Sequence, residues 1–248
     1  MSHVEFIGSP GAGKSTLHCK LTQRETYYGG GKSEVVRRIL KSKNLKYSTL
    51  YKVASLARLD TYLSKLLYDR YRNMAFERAT KDNYNMLRVI PEIIETAERD
   101  PAGALGYYRK RLEEYWLAKQ TITVKEILCL DEGFLMVIAG AIFRSNTLEA
   151  ELNELLQQLP VPEVVINVST PTEVCLLRDR GRENPKLKKS RFNDRKRIHK
   201  RHQRACQQVL DVLPEETKIL TIQGTKDIDR STAELQYKLE KHIERKPN

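Results

Sequence analysis

Short apolar runs recur along this chain and are separated by longer stretches of helical sequence. Such runs are typical of strands that are buried on both faces of a parallel sheet. The strands predicted from them are Val4 to Ile7, Glu126 to Leu130, Val164 to Val168 and Lys218 to Ile222. The predicted helices are Ser15 to Glu25, Phe134 to Phe143, Thr172 to Arg180, Lys189 to Leu213 and Ser231 to Glu244.

This alternation of strands and helices predicts right-handed βαβ units. The expected fold class is therefore α/β, with three layers in which helices cover both faces of a parallel sheet. The sequence contains no Ser/Gly-rich linker, internal repeat or low-complexity tract. We therefore expect one domain that spans residues 1–248.

Residues 32–120 depart from the alternation, because they have helical composition and no convincing strand. They are predicted to form a large helical insertion that covers the face where a second substrate binds. Tyrosines and arginines recur in this segment, among them Tyr107 and Arg111. Core and amphipathic packing is the alternative explanation for most of these side chains.

The first predicted strand runs directly into a glycine-rich segment that opens a helix. From Val4 the sequence is VEFIGSPGAGKST, with the full spacing of a phosphate-binding loop in the context that this motif requires. A glycine-rich turn without a ligand would not need a lysine and a hydroxyl at the helix start. The residues predicted to bind a nucleoside triphosphate are Gly8, Ser9, Pro10, Gly11, Ala12, Gly13, Lys14, Ser15 and Thr16.

Each part of this loop has a physical task. The glycines let successive backbone N–H groups point into one concavity, and the start of the helix adds the positive end of its dipole. Lys14 is predicted to reach the β- and γ-phosphates, and the Ser15 hydroxyl is predicted to bind Mg²⁺.

The second predicted strand ends in two carboxylates, Asp131 and Glu132, followed by Gly133. In proteins with a phosphate loop, the neighbouring strand commonly ends in an acid that holds Mg²⁺. Asp131 is the candidate for that role, whereas Glu132 is predicted to orient or deprotonate the acceptor. The alternative is that both are solvated turn residues.

A third element begins at Thr170 with a Thr-Pro-Thr-Glu helix start. Its helix is followed by an arginine-rich segment, about residues 178–190, that begins with Arg178, Arg180 and Arg182. Arginines suit a mobile lid over phosphates because guanidinium offers paired donors to phosphate oxygens. A solvated basic helix end is the alternative.

With these three elements the chain resembles the P-loop nucleoside and nucleotide kinases, the group that includes deoxynucleoside kinases and thymidylate kinase. The resemblance implies ATP and Mg²⁺ as cofactors, a lid formed by the arginines, and contact of the loop from Gly224 to Asp227 with the base. Asp131-Glu132-Gly133 stands where these enzymes carry Asp-Arg-Tyr/His or Glu-Arg-Ser. The acceptor therefore stays open.

The net charge of +12 is concentrated in one region. Residues 178–204 contain thirteen Lys/Arg and three Asp/Glu, a local net charge of +10. The basic run 186–204 is predicted to be a charged lid flank and solvated helix face, with His199 and His202 also solvated. The alternative is a patch for nucleic acid or an anionic membrane surface, which the scarcity of aromatic residues does not favour.

The chain has no basic segment followed by a long apolar run at its start, so no signal peptide is expected. The longest apolar segment, Ile127 to Phe143, contains Asp131, Glu132 and two glycines, so no membrane span is expected either. Its four cysteines are widely spaced and form no CxxC pair. A reduced, cytoplasmic setting is therefore expected.

The leading hypothesis is a P-loop kinase, an ATP- and Mg²⁺-dependent phosphotransferase. It would transfer the γ-phosphoryl group to a small nucleoside, nucleotide or other hydroxyl or phosphate acceptor. One alternative is a nucleotide-dependent switch or ATPase that acts with a protein or polyanion partner. The other is a polynucleotide 5′-kinase. The absence of a complete guanine signature makes ATP the expected nucleotide.

Overall fold

The computed structural model describes residues 3–30, 32–43, 49, 60–82, 87, 89, 91, 101–144, 152–181 and 192–243. Within these residues lie the strands β1 (His3–Ile7), β2 (Tyr27–Tyr28), β3 (Ile127–Leu130), β4 (Val164–Ser169) and β5 (Lys218–Gln223). They form one sheet in the order β2, β3, β1, β4, β5, and every neighbouring pair is parallel. The predicted α/β class with a parallel sheet is confirmed.

Helices connect the strands. They are α1 (Lys14–Leu21), α2 (Lys32–Lys43), α3 (Asp60–Asp82), α4 (Pro101–Thr121), α5 (Phe134–Arg144), α6 (Leu152–Gln157), α7 (Thr172–Gly181), α8 (Phe192–Asp211) and α9 (Ile228–Ile243). Among the described residues, no helix is long and apolar enough to cross a lipid bilayer.

The strand side chains alternate between two cores, one on each face of the sheet. Val164, Ile166 and Val168 join the core beside α1 and α9, whereas Val165 joins the core beside α5 and α8. Because successive side chains of a strand point to opposite faces, burial on both sides requires a continuous apolar run. This is why the strands were recognisable as short apolar runs.

All four predicted strands are confirmed with ends that agree within one residue. The prediction missed β2, which consists only of Tyr27 and Tyr28 and pairs with the start of β3. Both tyrosines are buried. Two residues are too few to produce a periodic signal.

Local hydrogen bonds explain why α1 ends earlier and α9 begins earlier than predicted. Helix α1 stops at Leu21, where the Thr22 hydroxyl donates to the His18 carbonyl at 2.8 Å and the chain turns towards β2. Helix α9 begins earlier than predicted, because the Asp227 carboxylate accepts a hydrogen bond from the Arg230 N–H at 2.9 Å. A carboxylate in this position caps the helix.

Every described residue between positions 32 and 120 is helical, and α3 contacts both α2 and α4. Tyr68 and Tyr108 are among the most deeply buried side chains, so packing explains these two aromatics. The buried Glu113 carboxylate lies 2.7 Å from the Nε atoms of both Arg72 and Arg109. Helix α4 also contacts α5 and β3, which fixes this helical layer to the sheet.

Helix α8 packs on α5 through residues that were expected to face solvent. His199 is buried, with its Nε2 atom 3.0 Å from Asp179 Oδ2 of α7. The His202 ring stacks on Phe143 with centroids 3.8 Å apart. The prediction of two solvated histidines is therefore wrong, because the tertiary fold brings Asp179 and Phe143 from other helices into contact with them.

The pKa of His202 is lowered to about 4, mainly by burial, with further contributions from the charges of His199, Lys14, Arg144 and Arg201. The unfolded chain therefore binds a proton near pH 6.5, but the folded protein does so only near pH 4.

We expect the free energy of unfolding to fall as the pH decreases from about 6.5 to 4, by on the order of 1 to 3 kcal/mol from this side chain. Urea denaturation across this range measures the effect. His202→Gln should remove that part of the pH dependence. An identical pH dependence in the variant would contradict the assignment.

Candidate functional site

Between β1 and α1 the backbone follows the course that a phosphate-binding loop requires. Gly8, Gly11 and Gly13 have φ angles of +148°, +76° and +106°. A Cβ atom on Gly8 would lie 2.6 Å from the Val168 carbonyl oxygen, and one on Gly11 would lie 2.7 Å from the Cys175 carbonyl oxygen. Both the φ angles and the close packing therefore favour glycine at these two positions.

The Lys14 ammonium group lies inside this loop. Its Nζ donates hydrogen bonds to the carbonyl oxygens of Gly8 at 2.6 Å and Ser9 at 3.2 Å. Burial lowers the pKa of Lys14, and the charges of Glu132 and Asp131 oppose that effect. The acidic end of β3 therefore lies within electrostatic reach of the loop, as the sequence predicted.

The remaining loop residues differ in exposure. Ser15 and Thr16 are exposed in the first turn of α1. The Ser9 Oγ atom is buried and has no hydrogen-bond partner among the described residues. The segment thus has one buried hydroxyl without a partner, that of Ser9, and two exposed hydroxyls at the start of α1, those of Ser15 and Thr16.

Asp131 follows directly after β3, whose Leu130 is in register with Glu5 of β1. One carboxylate oxygen of Asp131, Oδ1, is buried without a hydrogen-bond partner among the described residues. A buried carboxylate oxygen is costly unless something pairs with it. Oxygen ligands of this kind are also what Mg²⁺ prefers, so Asp131 and the Ser15 hydroxyl are chemically suited to that ion.

Glu132 is held by helix α4. Its Oε2 atom accepts hydrogen bonds from the Tyr107 hydroxyl at 3.0 Å and from Arg111 Nη2 at 3.1 Å. Burial raises the pKa of Tyr107, and the negative charge of Glu132 adds to this effect. The sequence suggested Tyr107 and Arg111 only as members of a larger set of aromatic and basic residues, and gave no reason to join them to Glu132.

A cavity of 220 Å³ opens beside these acids. Asp131, Glu132 and Arg111 contribute polar groups to its wall, and Tyr68 and Phe134 contribute aromatic surface. The Arg111 Nε atom is buried without a hydrogen-bond partner among the described residues. Glu114 adds a third carboxylate, so the cavity combines a cation, three carboxylates and apolar surface beside the end of β3.

A buried carboxylate of β1 supports the turn that carries the two acids. Glu5 is fully buried, its Oε2 accepts a hydrogen bond from the Leu135 N–H at 2.9 Å, and its Oε1 lies 3.3 Å from His3 Nε2. A Cβ atom on Gly133 would overlap the Glu5 carboxylate. Glu5 thus caps the start of α5 from another element. Nothing local in the sequence predicts this contact.

Arg178 contacts the outer side of the phosphate loop. Its Nη1 donates to the carbonyl oxygens of Gly11 at 3.3 Å and Ala12 at 3.2 Å, and its Nη2 donates to that of Gly224 at 2.8 Å. The Thr170 hydroxyl also donates to the Ala12 carbonyl, at 2.9 Å. The loop that begins at Gly224 therefore lies beside the phosphate loop, and its contact with a nucleotide base stays a prediction.

The side chains of the other two arginines of the predicted lid, Arg180 and Arg182, are not described by the structure. Arg180 lies in the last turn of α7, and only its backbone is described. Arg182 and most of the segment 178–190 lie outside the described residues. Their role as a lid stays a prediction.

No protein-family model matches the chain, and no curated protein is similar enough to match it. Solved structures that resemble it include deoxyadenosine kinase from M. mycoides with bound dATP, at a TM-score of 0.49 and 12% identity over 97% of this chain and 100% of that chain.

The same kinase with the products dCMP and a flexible dCDP has a TM-score of 0.49 and 11% identity, over 96% of this chain and 99% of that chain. With bound dCTP, the TM-score is 0.47 and the identity 12% over the same shares of the two chains. At TM-scores below 0.5, these similarities carry no argument about substrate or residue roles.

The overlap between Gly133 and Glu5 predicts a strong coupling between the two positions. Gly133→Ala should lower the free energy of unfolding by about 1 to 3 kcal/mol, because the new methyl group displaces the buried carboxylate. Glu5→Ala should also destabilise the protein, because the Leu135 N–H loses its acceptor.

In the Glu5→Ala background the methyl group has space, so Gly133→Ala should cost less there by about 1 kcal/mol or more. Chemical denaturation of the four proteins measures this difference, and Gly106→Ala at an exposed position of α4 is the control, because a Cβ there meets no atom within 4 Å. Strictly additive effects of Glu5→Ala and Gly133→Ala would contradict the proposed contact.

Proposed function

We propose that this protein is an ATP- and Mg²⁺-dependent phosphotransferase that moves the γ-phosphoryl group to a small acceptor. The observation that carries the proposal is the buried Lys14 ammonium group inside a phosphate loop, within electrostatic reach of Glu132 and Asp131. A cation aimed into an anion-binding loop and two acids at the neighbouring strand end are the parts that phosphoryl transfer needs.

Binding of the triphosphate is assigned to the loop from Gly8 to Thr16. Its backbone N–H groups and the start of α1 would hold the phosphate oxygens, and Lys14 would exchange its two carbonyl partners for the β- and γ-phosphates. Because negative charge spreads over the transferred group, the Lys14 ammonium would stabilise the transition state more than the ground state.

Two oxygen ligands suit Mg²⁺ at this site. The exposed Ser15 hydroxyl and the unpartnered Asp131 Oδ1 are the residues that would hold it. When bound, the ion neutralises phosphate charge and orients the triphosphate.

The 220 Å³ cavity beside Glu132 is proposed as the acceptor site. Glu132 would accept the proton of an acceptor hydroxyl through its Oε1 atom, because Oε2 already receives hydrogen bonds from Tyr107 and Arg111. For a phosphate acceptor, the Arg111 guanidinium offers a donor to the anion instead. Nucleosides and nucleotides are the acceptor class that this polar and aromatic lining supports best.

Arg178, Arg180 and Arg182 are proposed to close over the phosphates. The carbonyl contacts of Arg178 add a second role, which is to hold the phosphate loop against the loop at Gly224. Residues 1–248 would form one catalytic domain, and the helical insertion of residues 32–120 would cover the acceptor. The enzyme would act in the cytoplasm.

A screen of purified protein with ATP, GTP, Mg²⁺ and a panel of nucleosides, nucleotides and sugars tests the activity. Mass spectrometry should detect an acceptor that has gained one phosphoryl group. Steady hydrolysis of ATP that depends on no acceptor and is stimulated by a protein or a polyanion would contradict the proposal and favour the nucleotide-dependent switch.

Lys14→Ala should reduce phosphoryl transfer by about 10²- to 10³-fold or more, because the transition state loses a buried cation. Cooperative folding should persist, since burial already disfavours the charged form of this lysine. Lys20→Ala, which removes an exposed lysine of the same helix, is the matched control. Transfer at the wild-type rate by the Lys14 variant would overturn the assignment.

Asp131→Asn should weaken the Mg²⁺ dependence of nucleotide binding, because a neutral amide is a poorer ligand for this ion. The readout is the rise in melting temperature that a nonhydrolysable ATP analogue causes with and without Mg²⁺. Wild type and the exposed Asp229→Asn control should gain additional stability from Mg²⁺. An equal Mg²⁺ effect in the Asp131 variant would remove Asp131 from the metal site.

A further inference from the structure

Helix α8 carries a row of cations on its exposed face. Arg197, Lys200, Arg201 and Arg204 are all exposed, and their spacing of three and four residues brings them onto one side of the helix. We call these four residues the basic stripe. It spans two helical turns, or roughly 10 Å along the axis.

Elsewhere, basic residues that cluster on helices are accompanied by carboxylates. Arg37 and Arg38 of α2 share Glu34, and Arg111 of α4 pairs with Glu114. On α9, Glu234 pairs with Lys238 and also reaches Lys226 from the preceding loop. In each of these places at least one carboxylate is ion-paired with the cations.

Three of the four cations in the basic stripe are not neutralised in this way. No ion pair joins Arg197, Lys200 or Arg204 to a carboxylate within the described part of the chain. The Glu173 carboxylate of α7 is ion-paired with Lys196, which lies outside the stripe. Helix α8 as a whole contains six Lys/Arg and two Asp, the latter near its two ends. Uncompensated like charges repel one another, so a surface of this kind favours an anionic partner.

The opposite face of α8 fixes the stripe in place. His199 pairs with Asp179, and His202 stacks on Phe143. Arg201 of the stripe itself also contacts this ring, with its guanidinium 5.4 Å from the ring centroid. The lowered pKa of His202 also reflects the charges of Arg201 and Arg144, which extend the positive region onto the end of α5. The cations are therefore carried by a helix that is anchored in the core.

We propose that the basic stripe binds the sugar–phosphate backbone of a nucleic-acid duplex without reading its bases. A regular row of guanidinium and ammonium groups matches the closely spaced phosphates of a duplex. None of the four stripe residues lines the cavity beside Gly8 and Ser9 or the one beside Glu132, and the interaction does not depend on the proposed phosphoryl transfer.

The composition of the stripe favours a duplex over other polyanions. Binding of single strands commonly uses aromatic side chains as stacking platforms, and no exposed side chain described on α8 is aromatic. Peripheral membrane helices insert large apolar residues beside their cations, and no exposed side chain described on α8 is apolar. Binding should therefore depend on charge and fall steeply with salt.

The test measures the affinity of the whole protein for 20-base-pair DNA and RNA duplexes of mixed sequence over a series of salt concentrations. The stripe variant is Arg197→Gln, Lys200→Gln, Arg204→Gln. Each phosphate contact contributes about 0.9 to the slope of log K against log salt, so three lost contacts should reduce the slope by about 2.7. The variant should also bind at least tenfold more weakly at low salt.

The matched control is Lys218→Gln, Arg230→Gln, Lys241→Gln, which removes three exposed cations from β5 and α9. This control should retain most of the affinity and slope, although the net charge of the two triple variants is the same. Circular dichroism melting should confirm that both variants fold.

Three outcomes would overturn the proposal. They are no duplex binding by the wild-type protein at low salt, equal losses in the stripe variant and the control, and stripe-dependent binding to phosphatidylserine vesicles without binding to duplex.

Discussion

The ammonium group of Lys14 is buried against the carbonyl oxygens of Gly8 and Ser9, where little water reaches it. A buried charge needs compensation, and the loop carbonyls and the acids at the end of β3 supply it. The order of the sheet makes this possible, because β1 and β3 are parallel neighbours whose carboxyl ends meet at one edge. Phosphate binding, metal binding and acceptor positioning in our account all depend on this arrangement.

The surrounding structure holds the loop and the acids from behind. The Ala12 carbonyl accepts hydrogen bonds from both Thr170 and Arg178, and Arg178 also reaches Gly224. On the other side, Glu5 holds the start of α5 and leaves room only for glycine at position 133. Such support matters because phosphoryl transfer depends mainly on positioning and charge stabilisation.

Much of the fold was predictable because its signals are local. The buried strands are continuous apolar runs, and the phosphate loop has a fixed spacing of glycine, lysine and serine. The partners of Glu132 were not predictable, since Tyr107 and Arg111 come from a helix about twenty residues earlier in the chain. Only the tertiary fold brings them to the end of β3.

The environment of the histidines in α8 also depends on tertiary contacts that the local sequence does not show. The sequence predicted a solvated helix face and two solvated histidines, but His199 is buried, His202 is partly buried against Phe143, and four cations occupy the opposite side. Sequence composition gives the net charge of a segment. Which of its side chains become buried depends on the neighbouring helices against which the segment packs.

A crystal structure of the protein with Mg²⁺ and a nonhydrolysable ATP analogue would test directly whether the loop and Lys14 bind a triphosphate. We expect the β- and γ-phosphates to lie in the phosphate loop and Lys14 Nζ to contact them instead of the Gly8 and Ser9 carbonyls. An analogue bound away from the loop, or a Lys14 that keeps both carbonyl contacts beside a bound triphosphate, would contradict it.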